Sequence, residues 1–149
     1  MEVFNELYWE IGMDFPEMMD MEETFPLNQE MLDRLDRPIY HAKPLRIYFN
    51  LDEYGMEGRE YDIFNNSYFT GMGILGAIKT FWDEPLTREE MTRIYPHLEP
   101  TLDIARRINN VLQNRSTEEI PRSEIATDII FAGIEPYLDG YLVDYTSPF

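Results

Sequence analysis

Residues 45–51 alternate strictly, with Leu45, Ile47, Phe49 and Leu51 apolar and Arg46, Tyr48 and Asn50 between them. Seven residues at period two suit one face of a sheet and cannot form a single apolar stripe on a helix. Elsewhere the spacing becomes helical. Ile74, Leu75, Ile78, Phe81 and Trp82 recur within 70–82, and Leu102, Ala105, Ile108, Val111 and Leu112 within 101–114. A chain of 149 residues that carries both periods has the length of one domain. The expected fold is therefore α+β. A small antiparallel hairpin or sheet is packed by roughly four to six short helices, in a single globular domain over 1–149.

Prolines and glycines set the segment ends. After the alternating strand, Gly55 and Gly58 punctuate a loop and Arg59–Phe64 offer a return strand. Pro38 should stop a helix over 27–36, and Pro85 should stop the helix of 70–82. Thr87 and Glu90 spell a capping box, so another helix should begin there and end before Pro96. Near the N-terminus Phe4, Leu7, Tyr8 and Ile11 have helical spacing, which predicts a short helix over 3–12 ending near Gly12. Residues 13–26 hold two prolines and no steady period, and read as an irregular connector. Ser123 is expected to cap a last helix running through Ala132 and closed by Gly133, followed by a Tyr-rich C-terminus.

Charge divides the chain differently. Residues 1–33 carry ten carboxylates and no Lys or Arg, and residues 123–149 carry five, again without a base. All twelve bases lie in the near-neutral body, 34–122, with the remaining fourteen acids. A formal charge of −17 should repel nucleic acid and anionic membranes and attract basic surfaces. No apolar run approaches the roughly 18 residues of a membrane span, and no secretory signal is visible. The chain has no cysteine, which removes disulfides, thiolate metal sites and a thiol nucleophile. An intracellular location is expected, cytoplasmic or nuclear, or within a virion.

Motifs for chemistry are weak. Gly71-Met72-Gly73-Ile74-Leu75-Gly76 is a literal G-x-G-x-x-G, with Glu89 and Glu90 downstream, but no parallel βαβ unit is readable around it. Small residues that let a helix pack closely explain it more simply. Asn50, Asp52, Glu53, Glu57, Glu60 and Asp62 gather around the hairpin loop as hard-cation ligands would. The calcium-loop register fails, because Tyr61 stands where a bidentate Glu belongs. His41 and His97 are the two histidines, too far apart to share a helix face. No serine-nucleophile signature is present. No catalytic residue, cofactor or metal ligand is assigned, and a non-enzymatic protein is expected.

The first arm interleaves its acids with aromatics and methionines. Carboxylates steer an encounter with a basic surface, and adaptable Met and aromatic side chains supply contact area. The candidate partner-binding residues are Glu6, Tyr8, Trp9, Glu10, Asp14, Phe15, Glu17, Met18, Asp20, Met21, Glu22, Glu23 and Phe25. These aromatics would equally serve as the domain's own core. The chain is similar in broad character to small acidic proteins that mimic nucleic-acid charge or shield basic proteins, products common in viruses and phages. The leading expectation is an acidic interaction protein for a basic protein partner. One alternative is an assembly subunit whose aromatic arms dock on neighbouring proteins. Another is a small-ligand or metal-dependent enzyme using Gly71–Gly76 or the hairpin carboxylates.

Overall fold

The computed structural model describes residues 2–10, 13, 16–20, 23–40, 45–49, 59–63, 68–125, 130–138 and 140–146. The fold is α+β, a single domain in which the described helices pack against β-sheets. A 3-10 turn over Glu2–Glu6 leads into β1 (Leu7–Tyr8), then β2 (Glu17–Asp20), β3 (Glu23–Phe25) and α1 (Gln29–Leu35). Next come β4 (Pro38–Tyr40), β5 (Leu45–Phe49), β6 (Arg59–Ile63) and β7 (Tyr68–Thr70). The helices α2 (Gly71–Asp83), α3 (Arg88–Ile94) and α4 (Asp103–Leu112) follow, and β8 (Ile130–Tyr137) and β9 (Gly140–Thr146) close the chain.

The strands form a three-stranded sheet β1-β2-β3, a pair β4-β7, and a four-stranded sheet ordered β6-β5-β9-β8. The alternating segment becomes β5, with Ile47 and Phe49 buried and Tyr48 between them less so. β6 returns antiparallel to it, as the hairpin reading requires. β9 joins β5 on its other side in parallel. Gly140 permits that approach, because a Cβ there would fall 1.9 Å from the Arg46 carbonyl oxygen. Phe49 stacks on Phe81 of α2 with ring centroids 3.9 Å apart, tying sheet to helix.

Helices α1 to α4 lie where periodicity and caps put them. The Thr87–Glu90 box forms in full: Glu90 N–H donates to Thr87 Oγ1 at 3.1 Å, and Thr87 N–H donates to Glu90 Oε1 at 3.0 Å. Gly71 opens α2 behind the Thr70 cap and sits against α1, where a Cβ would lie 3.0 Å from Leu35 Cδ2 and 3.1 Å from its carbonyl oxygen. β7, which precedes α2, pairs antiparallel with β4. The first glycine of the G-x-G-x-x-G run thus serves helix packing.

Two expected helices are corrected. Instead of a helix over 3–12, the chain makes the 3-10 turn, then β1, and then a bridge from Glu10 to Ile130. Phe4, Leu7 and Trp9 point into the core, a 3-10 step followed by a strand step, and this mixture imitates helical spacing. Of the tail helix expected from Ser123 to Ala132, the described residues form a 3-10 turn over Arg122–Ile125 and the start of β8, and 126–129 lie outside the described residues. Gly133, read as a helix stop, pairs with Asp144 at φ +119 just after a bulge that leaves Ala132 without a register partner. A bulge adds one residue to a strand and breaks its alternation. Both Phe131 and Ile134 are therefore buried, and period two is lost from the sequence. The connector 13–26 also contains more order than expected, namely β2 and β3.

Candidate functional site

The acidic arm folds into the three-stranded sheet, and its register sorts the candidate residues. Leu7, Met18 and Phe25 are successive cross-strand partners and so share one face. Leu7 is buried and Met18 packs against the core, whereas Phe25, on the outermost strand, remains 46% exposed. Tyr8 and Glu17 are partners on the other face. Asp20 and Glu23 are register partners, so two acidic positions stand directly opposite each other.

Trp9 is 3% exposed and meets Phe131 edge-on at 5.8 Å, with its indole N–H donating to the Met13 carbonyl at 3.0 Å. It belongs to the core. Tyr8 is half-buried, and its hydroxyl donates to Glu10. That hydrogen bond, then burial and the charges of Glu10 and Glu17, hold the phenol above its usual pKa. Glu6 pairs with Arg34 of α1, while Glu10 and Glu23 are exposed and Glu17 is partly so. Asp14, Phe15, Met21 and Glu22 lie outside the described residues, as do His41, Asn50, Asp52, Glu53 and Glu57.

The body treats charge in the opposite way. Lys79 pairs with Asp83, Arg93 with Glu89, and Arg106 with Asp103. Arg107 reaches both Glu118 and Glu124, which hold it firmly cationic, and its guanidinium keeps the Glu118 carboxyl below the usual range. Arg88 donates to the Leu112 carbonyl at 2.7 Å, at the end of α4 where the helix dipole favours a cation.

Arg122 is the extreme case, at 1% exposure. Its Nε and Nη2 donate to Glu90 at 3.0 Å each, Nη1 donates to the Phe81 carbonyl at 3.0 Å, and Glu84 lies 3.5 Å away. The guanidinium also sits 4.5 Å over the Phe81 ring. Sequence reasoning found Glu90 as a cap but missed Arg122, since nothing local marks a base thirty-two residues away as its partner. Its sequence neighbours, Glu119, Ile120, Pro121, Ser123 and Glu124, mix apolar and polar residues and give no local cue.

Among the described residues, no group of three or more His, Asp or Glu could hold a metal ion, and no helix is long and apolar enough to cross a membrane. Comparison with protein-family models, characterised proteins and solved structures found no match. The α+β class is thus the whole of the classification, and any functional reading stands on the geometry above.

Proposed function

We propose that the protein is a non-enzymatic acidic interaction protein that engages a basic protein partner, in the manner of a nucleic-acid mimic or a shield. One observation carries this reading. The arm 1–33 has ten carboxylates and no base, while Lys79, Arg93, Arg106 and Arg107 of the body pair with acids of the body and Arg34 pairs with Glu6 of the arm. Glu10, Glu17 and Glu23 remain at the surface of the arm's sheet, beside Tyr8 and the exposed Phe25. Co-purification from the native source at low and high salt tests the reading. A basic partner should be recovered at about 0.1 M salt and lost towards 1 M, as the screening length falls from about 10 Å to about 3 Å. Retention of the same partners undiminished at high salt would overturn it.

A second reading, an assembly subunit, is favoured by a separate observation. Leu138, 81% exposed and at φ +47, stands at the tip of the β8–β9 hairpin beside the exposed Tyr137. Small-angle scattering decides between the two: a self-associated particle supports the assembly role, and a compact monomer counts against it.

A further inference from the structure

The two edges of the acidic sheet are not equivalent. Beside β1 the chain continues into contact with β8: Phe131 N–H donates to the Trp9 carbonyl at 2.8 Å, and Glu10 bridges Ile130. That side of the sheet is occupied. β3 is the other edge: among the described residues no strand lies beyond it in the sheet order, and all three of its residues are exposed. An edge strand presents unpaired backbone N–H and C=O groups that can pair with another chain. Here the edge also offers side-chain information. Glu23 and Phe25 are two apart and so share a face, with Thr24 on the opposite one.

We infer that β3 accepts an extended basic segment of a partner protein as a fourth strand. The inference rests on the acidic-partner reading and narrows it to a mode of recognition. A segment with Lys or Arg at one position and an apolar residue two positions away places the cation opposite Glu23 and the apolar side chain opposite Phe25. The cation meets the exposed Glu23 carboxylate, and the apolar residue covers a ring that the fold leaves half open. Main-chain hydrogen bonds supply affinity and the alternating side chains supply specificity, as in other strand-addition complexes.

The test uses the full chain and two peptides of identical charge, at about 50 mM salt where the screening length exceeds about 10 Å. The first repeats Lys-Thr-Leu-Thr, which puts Lys and Leu on one face of a strand. The second is the same peptide with every backbone nitrogen methylated, which keeps the charge and removes all main-chain donors. The inference expects at least tenfold tighter binding of the first, ~1.4 kcal/mol, with slowed amide exchange confined to β3 and its neighbour β2. Phe25→Ser, at an exposed position, should reduce the difference between the peptides several-fold. Equal binding of the two peptides overturns strand addition and leaves the electrostatic reading standing. If neither binds better than a Gln-for-Lys control, both readings fail.

Discussion

The N-terminal sheet and the helical body of this protein use charge for opposite ends. In the body, Lys79, Arg93, Arg106 and Arg107 pair with neighbouring acids, and one arginine is buried outright against Glu90 and Phe81. In the sheet, acids recur without a base within the first thirty-three residues, and two acidic positions are register partners. Paired charge fixes the packing of α2, α3 and the 120–125 segment. In the arm, Glu6 reaches Arg34 of the body and Glu10 accepts from Tyr8, while Glu10 and Glu23 stay exposed. The difference teaches that the protein's net charge is a local property of its ends, sustained by a body that has settled its own electrostatics.

The sharpest way to break the comparison is at Arg122. Arg122→Met leaves Glu90 buried without its cation, and should cost about 3–5 kcal/mol in denaturant unfolding. The double variant Arg122→Met/Glu90→Leu should recover much of that loss, because an apolar pair can replace a buried ion pair. Trp9 and Phe25 make the matching contrast inside the arm. Trp9→Ala should cost about 3–5 kcal/mol as a core truncation, whereas Phe25→Ala should stay within about 0.5 kcal/mol. Thermal unfolding of the two variants, side by side, checks which aromatics are structural. Next in size is Gly140→Ala, expected to cost about 3 kcal/mol because its Cβ must displace the Arg46 carbonyl and part β9 from β5.

These contrasts also mark how far the sequence was legible. Segments with one uninterrupted period or a reciprocal cap could be read directly: β5 from its alternation, α2 and α4 from their apolar faces, and α3 from Thr87 and Glu90. Segments whose period changes midway could not. The Phe4-to-Leu7 step belongs to a 3-10 turn and the Leu7-to-Trp9 step to an extended chain, so together they resembled a helix. A bulge at Ala132 shifts β8 by one residue, and Gly133 after it hid a strand behind a helix stop. The acidic arm was legible as charge, but the burial of Leu7 and Trp9 beside the exposed Glu10 depends on long-range pairing with β8. Arg122 shows the same limit, since burial of an ion pair is decided by partners distant in sequence.

The smallest expected effect is a pH dependence at the C-terminal hairpin. Desolvation, then the charge of Glu135, holds the Asp144 carboxyl above its ordinary pKa. The folded state therefore binds this proton more tightly than the unfolded one. Its contribution to stability is greatest in acid and is lost as pH rises from the ordinary carboxylate value through the raised one. Asp144→Asn should slightly stabilise the protein at neutral pH and flatten its stability profile over that window, as thermal unfolding at several pH values would show.

The central claim is that recognition of basic partners maps to the arm rather than to total charge. Two triple variants of equal charge change test it most directly, Glu10→Gln/Glu17→Gln/Glu23→Gln in the sheet and Glu89→Gln/Glu99→Gln/Glu119→Gln in the body. Their affinities for the Lys-Thr-Leu-Thr peptide, measured at the same low salt, should differ. The account predicts a loss of about tenfold or more for the sheet variant, ~1.4 kcal/mol, and less than about twofold for the body variant. Equal losses in the two would contradict it.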